Sequence, residues 1–189
     1  MLRFTIIRLL IVAGIFCQAS SLSAQTAVES LLATEGADSA AKSKDKSAAK
    51  EPAKIPANVL NAIKVRAAKS HPDDFSTQLY VIKTQSEAYW KLASLQRPSD
   101  IPEEVFKSIV TDASRSHSND YSTRLYVINN QTKAYRELVA MDWPKDVPEN
   151  VLRSIAAKAY KSHQTDYSTQ LYVIRTQINA YRRLSGGGN

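Results

Sequence analysis

A histidine, an aspartate and a serine occur together at three places in the chain, and these residue types can support hydrolytic or metal chemistry. The first copy covers residues 70–82 and reads Ser-His-Pro-Asp-Asp-Phe-Ser-Thr-Gln-Leu-Tyr-Val-Ile. Copies at 116–128 and 162–174 keep the histidine, the aspartate three residues later and the Ser-Thr pair. This repeated 13-residue stretch is called the signature. Its histidine and aspartate are His71 and Asp74, His117 and Asp120, and His163 and Asp166.

A catalytic triad requires the serine hydroxyl on one ring nitrogen of the histidine and the aspartate on the other. In the signature the serine falls in the first turn of an expected helix, and the Gly-x-Ser-x-Gly elbow of many hydrolases does not occur. A hydrolase, or an accessory module that uses the signature, therefore remains only an alternative. The sequence favours a protein that is not an enzyme.

Metal binding is the second chemistry that the signature suggests. One histidine and one aspartate per copy are too few for a tight zinc site, so ligands would have to come from two copies. A histidine at the end of a helix has a simpler explanation, since a donor or cation is favourable beside the exposed carbonyls. We expect no metal and no other cofactor.

The signature belongs to a longer unit that is repeated every 46 residues. Ile55-Pro56, Ile101-Pro102 and Val147-Pro148 open the three units, and 17 of 38 aligned positions are identical in all three. Such identity within one chain indicates a duplicated structural unit. The period lies in the range of HEAT and armadillo units, but their motif patterns are not present.

Each unit is expected to form two helices. Val59, Ile63 and Ala67 recur at helical spacing in the first, and Asp100 and Asp146 precede the later copies as apparent capping residues. The aspartate of the signature is the expected N-cap of the second helix, with a threonine at the third helical position. No glycine occurs between Gly36 and Gly186. The predicted fold is all-α, with three tandem helix-turn-helix repeats in a short α-solenoid or a compact six-helix array.

Two further positions of the second helix are distinctive. Gln85, Gln131 and Gln177 lie in the middle of an apolar arc, where an amide must be hydrogen-bonded. We expect these glutamines to fix the register between helices, with a ligand-facing amide as the alternative. Tyr80, Tyr126 and Tyr172 point away from the arc, which predicts packing between units or a row on the surface.

The N-terminal segment has the parts of a secretory signal peptide. Arg3 and Arg8 precede the apolar run from Leu9 to Cys17, and small residues lead to a cleavage site after Ala24 or Ser21. The run is too short to span a bilayer. Export to the periplasm or the exterior is therefore expected, and since Cys17 is the only cysteine, the processed protein would have no thiol.

Composition divides the rest of the chain. Residues 25–54 are rich in Ala, Ser and Lys and hold too little apolar surface to fold. The expected organisation is a signal peptide at 1–24, a disordered linker at 25–54, a helical repeat domain at 55–184 (55–100, 101–146 and 147–184) and a flexible tail at 185–189.

The net charge of +7 is concentrated toward the last unit. Arg175, Arg182 and Arg183 are the expected basic contact residues, alongside the three tyrosines. The sequence thus predicts an exported, non-catalytic scaffold that binds an unknown protein partner, with no small-molecule substrate. Binding to an anionic polymer of the cell envelope is the alternative, and pairing with a second copy is a further expectation.

Overall fold

A computed structural model describes residues 54–186, and this part of the chain contains six α-helices and no strand. Three helices are short and three are long, in alternation. In chain order they are α1 (Ala57–Ser70), α2 (Phe75–Ala93), α3 (Glu103–Ser116), α4 (Tyr121–Val139), α5 (Glu149–Ser162) and α6 (Tyr167–Leu184). The all-α prediction is confirmed. The predicted signal peptide and linker, apart from Lys54, lie outside the described residues, as do the last three residues of the predicted tail.

The long helices form the centre of the array. Helix α4 packs against both α2 and α6, while each short helix packs against the long helix that follows it. The chain therefore builds three helical hairpins, one per sequence unit. Corresponding helices begin 46 residues apart because the residues that start them recur at that spacing.

The short helices begin differently from the prediction. Asp100 and Asp146 were expected to cap α3 and α5, but the N-cap residues are Pro102 and Pro148, which offer no side-chain acceptor. Proline suits this place because its missing N–H would have no helical partner. The aspartates instead bind arginines on the long helices of the units that follow them. Arg136 Nη2 donates to Asp100 at 2.9 Å, and Arg182 Nη2 donates to Asp146 at 2.8 Å.

The apolar core is concentrated in the second and third units. Its most completely buried large side chains include Ile101, Ile109, Ile128, Leu138 and Ile174. In the first unit only Ile63, Ala67 and Ala88 are buried among the apolar residues. The outer surface of the first hairpin is thus apolar in part yet uncovered.

The expected face of the short helices is confirmed in the second unit and shifted in the third. Val105, Ile109 and Ala113 are all buried in α3. The matching Ile155 of α5 is only half-buried, and Leu152 and Ala156 are buried in its helix instead. The difference follows from position in the array, since within the described chain no later unit lies beyond α5.

Candidate functional site

The aspartate of each signature caps a long helix, as the sequence predicts. Asp74, Asp120 and Asp166 each accept the backbone N–H of the threonine three residues later at 3.0 Å. In the first and third units the threonine hydroxyl also donates to the carboxylate at 2.6 Å. The carboxylate therefore accepts a hydrogen bond from an N–H group that has no partner within the helix, and its negative charge lies at the positive end of the helix dipole.

The histidines lie at the C-terminal caps of the short helices, the position that the sequence predicts for them. The backbone N–H of His71, His117 and His163 donates to the alanine carbonyl four residues earlier at 3.0 Å. The histidine carbonyls then receive a side chain from the next long helix, as when Gln78 Nε2 donates to His71 at 2.7 Å. Arg124 and Gln170 make the same contact in the other units, so each turn is tied to its own hairpin.

The serine of the signature bonds the aspartate directly. Ser76 Oγ donates to Asp74 at 2.8 Å, and the equivalent bonds to Asp120 and Asp166 are 2.9 and 2.8 Å. A triad needs the serine hydroxyl on the histidine and the aspartate behind it. In the signature both the serine and the threonine hydroxyls serve the helix cap, and the geometry is that of a capping network.

The glutamines join successive units. Gln85, on α2, reaches the start of α4, where its Nε2 donates to Asp120 and to Ser122 Oγ, both at 2.8 Å. Its Oε1 accepts the backbone N–H of Tyr121 at 2.8 Å. The side chain thus satisfies helix donors and the capping carboxylate together, and it sets the position of one long helix against the next.

The contact between a glutamine of one long helix and the start of the next long helix is called a junction. A second junction joins the second and third units. Gln131 Nε2 donates to Asp166 at 2.8 Å and to Ser168 Oγ at 3.1 Å, and its Oε1 accepts the Ser168 N–H at 3.1 Å. Both glutamines are half-buried at the junction. Both amides are hydrogen-bonded, as the sequence predicts for a glutamine within an apolar arc, and their role in fixing the register stays a prediction.

The expectation of a glutamine within an apolar face is wrong for the third unit. Gln177 is exposed, and no hydrogen bond joins its side-chain amide to another described residue. At the other end, Asp74 keeps its local cap without any glutamine. The two ends of the array each carry half of a junction.

Hydrogen bonds to the capping carboxylates lower their pKa values. For Asp166, burial raises the pKa, but bonds from Gln131, Thr169 and Ser168 outweigh it and hold the pKa at about 2. At Asp120 burial likewise raises the pKa, and the bonds from Thr123, Gln85 and Ser122 bring it well below its usual range. The carboxylates are therefore ionised at neutral pH, as a cap and a glutamine acceptor require.

Aromatic side chains complete each junction. Tyr89 meets Tyr121 edge to face with ring centroids 5.3 Å apart, and Tyr135 meets Tyr167 in the same way at 5.2 Å. Such pairs add about 0.5–1.5 kcal/mol to the effect of burial. Burial raises the pKa of Tyr167 to about 12. Each junction thus combines one glutamine, one capped helix start and one tyrosine pair.

Two contacts at the junctions were not foreseen from the sequence. Arg66 of α1 donates to the Asn119 carbonyl and lies 3.7 Å from Asp120, across the first junction. Arg175 of α6 donates to Glu137 of α4 at 2.9 Å, across the second. Each of these pairs occurs in one junction only. The internal repetition of the sequence, which points to the glutamines, therefore could not point to these arginines.

The predicted contact residues lie at or near the surface, but they differ in whether another side chain already binds them. Tyr80, Tyr126 and Tyr172 are 70, 68 and 69% exposed, which favours a surface row over packing between units. Of the predicted basic residues, Arg175 and Arg182 are engaged by Glu137 and Asp146. Arg183 is exposed at the end of α6.

Residues 54–186 contain no cluster of three or more His, Cys, Asp and Glu side chains suited to a metal ion. Within the same range, none of the helices has both the length and the apolarity to cross a membrane. No family model matches the chain, and comparisons with characterised proteins and with solved structures found no match either.

Proposed function

We propose that the chain is a non-catalytic scaffold, exported by its N-terminal segment, in which three tandem helix-turn-helix repeats present a row of tyrosines to a protein partner. The fold part of the proposal is supported by the recurrence of the same glutamine junction between successive hairpins. Stacked helical units of this kind provide an extended surface for binding. Sequencing the N-terminus of the exported protein tests the export, and a product that still begins at Met1 would contradict cleavage.

The tyrosine row carries the binding part of the proposal. Of all positions on the long helices, only that of Tyr80, Tyr126 and Tyr172 is exposed in all three units and occupied by the same residue. Exposed positions three and seven residues later have diverged completely, to Lys, Asn and Arg and to Glu, Lys and Asn. Packing does not explain why a large aromatic residue is kept where its neighbours vary.

The chemistry of the row fits a protein surface. Tyrosine supplies a large contact area and loses little side-chain entropy when it is bound. It is also enriched among the interface residues that contribute most of the binding free energy. The long helices α2, α4 and α6 are neighbours, so their tyrosines lie on successive helices of one layer. A partner that crosses the three helices could contact all of them.

The anionic-polymer alternative receives less support. Arg175 and Arg182 are paired with acids, and of the three predicted basic residues only Arg183 has no acidic partner among the described residues. Binding to a polyanion falls steeply as salt rises, whereas contacts through tyrosine depend on it weakly. A salt series of the binding reaction therefore separates the two.

Site-specific photocrosslinking tests the tyrosine row. A photoreactive phenylalanine in place of Tyr126 is expected to form a discrete protein adduct in cells, while the same residue in place of the exposed Lys133 is the matched control. The adduct should disappear when Tyr80 and Tyr172 are replaced by alanine. Equal crosslinking from both positions, or an adduct unaffected by the alanine variant, would refute the assignment.

A further inference from the structure

The first unit exposes surface that the later units bury. Phe75 is 70% exposed, whereas Tyr167 at the same position of the third unit is 3% exposed. Leu79 is 68% exposed, and the equivalent Leu171 is 7% exposed. In the later units the aromatic residue packs against a tyrosine of the preceding long helix. Among the described residues no preceding long helix covers the start of α2, which is called the acceptor face.

The third unit exposes the opposite half of the junction. Gln177 takes the place of Gln85 and Gln131, and Tyr181 takes the place of the tyrosine that packs across each junction. Beside Gln177 lies an open cavity of about 370 Å³, whose lining includes Ile155, Lys158 and Val173. The equivalent Ile109 of the second unit is 2% exposed. Within residues 54–186 no further long helix covers this end of the array, which is called the donor face.

We propose that a second copy of this chain docks on these faces head to tail, so that Gln177 and Tyr181 of one copy complete the helix start at Asp74 and Phe75 of the next. The contact continues the two internal junctions, which already join the same positions. Phe75 enters the cavity beside Gln177. The Gln177 amide then donates to Asp74 and accepts a backbone N–H of the first turn of α2.

Charge at the two faces is complementary near the turn. Lys158 stands at the position of Arg66, which contacts the Asn119 carbonyl and Asp120 across the first junction. The acceptor face carries Asp73 and Asp74 at the positions of Asn119 and Asp120. The second copy thus places two acids opposite Lys158, where the internal junction has one.

One pair opposes the contact and limits its strength. Glu137 pairs with Arg175 across the second internal junction at 2.9 Å. The corresponding residues between copies are Arg183 and Lys83, two cations. Like charges at an exposed rim weaken association modestly. Replacing Arg183 by glutamate restores the internal arrangement and should tighten the contact.

The geometry of the contact predicts open assembly. Because a donor face binds an acceptor face, each added copy leaves one free face of each kind at the ends, and growth does not stop at a dimer. The tyrosine row lies on other positions of the helices. Self-association and partner binding therefore depend on separate residues.

Sedimentation velocity on protein purified from the full 189-residue sequence measures the assembly. The weight-average mass of the wild type should rise continuously with concentration and pass beyond a dimer. Phe75→Lys should raise the dissociation constant about thirtyfold, as expected for an interface hot spot. Arg183→Glu should lower it roughly fivefold. The Tyr80→Ala, Tyr126→Ala and Tyr172→Ala variant should behave as the wild type does.

Complementation between two defective variants tests the polarity. Phe75→Lys lacks the acceptor face, and the double variant Lys158→Glu, Gln177→Ala lacks the donor face. Each alone should stay monomeric, and their mixture should give a 1:1 dimer that grows no further. All these side chains are exposed, so the circular dichroism and Tm of each monomer should match the wild type.

Four results would overturn the proposal. A wild type that stays monomeric at every concentration would contradict docking by a second copy. A closed dimer whose mass does not increase further would contradict the polarity. Failure of the two variants to combine, or an Arg183→Glu variant no tighter than the wild type, would contradict the pairing of the two faces.

Discussion

Replacing Gln131 by alanine should destabilise the array, while the same substitution at Gln177 should not. Gln131 makes a bond to the ionised Asp166 and accepts the N–H of Ser168. Gln177 occupies the same position of its unit but is exposed, and no hydrogen bond joins its side chain to another described residue. The comparison therefore isolates the junction from the intrinsic effect of glutamine-to-alanine in a helix.

The magnitude follows from the bonds that are lost. A hydrogen bond to a charged group contributes about 1.5–3 kcal/mol and a neutral one about 0.5–1.5 kcal/mol. Alanine regains a few tenths of a kcal/mol of helix propensity, and Asp166 keeps its bonds to Ser168 and Thr169. A loss of roughly 2 kcal/mol in the free energy of unfolding is expected, which for a domain of this size lowers Tm by about 8 °C.

Urea and thermal unfolding of both variants, at a dilution where the chain is monomeric, provide the measurement. Gln177→Ala should remain within about 0.5 kcal/mol of the wild type, as surface substitutions usually do. If the two variants shift equally, the glutamine acts through its helix and not across the junction. If neither shifts, the bonds contribute nothing net to stability.

The capped helices should make the fold acid-sensitive. The pKa of Asp166 in the folded state is about 2, which is below its value in the unfolded chain. Its contribution to the free energy of unfolding is therefore complete above about pH 4 and is lost as the pH falls toward 2. Urea unfolding midpoints at pH 5 and pH 2.5 test this expectation, and equal midpoints would contradict it. Thr132 is buried, and its hydroxyl has no hydrogen-bond partner among the residues that the structure describes. Thr132→Val should therefore raise the free energy of unfolding in urea by about 1 kcal/mol, and a decrease would show that the hydroxyl does form a hydrogen bond. Asp100→Ala breaks an exposed ion pair with Arg136 and should lower Tm by no more than about 2 °C, less at high salt; a larger drop would show that the pair is structural.

The helices and their caps could be predicted because they depend on local sequence. Asp74, Asp120 and Asp166 act on the N–H groups of their own helices, and a threonine at a fixed spacing is enough to indicate this. The exposure of Tyr80 and its equivalents also follows from helical periodicity alone. In each case the relevant partner lies within one or two turns of the residue.

The contacts between units could not be predicted in the same way. The helical pattern gives Gln85, Gln131 and Gln177 the same environment, yet two are half-buried and one is exposed. The difference depends on whether a further unit packs on that side, which no local pattern encodes. Asp100 was misassigned because its partner, Arg136, lies 36 residues away and belongs to the packed hairpin.

The glutamine junction also gives the array a direction. The start of α4 is contacted by Gln85 and the start of α6 by Gln131, so each of these two helices is completed by a residue that precedes it in the chain. During synthesis the N-terminal hairpin emerges first, and its glutamine is in place before the next helix needs it. Removing the last hairpin would leave both earlier helix starts intact, whereas removing the first would deprive α4 of its amide.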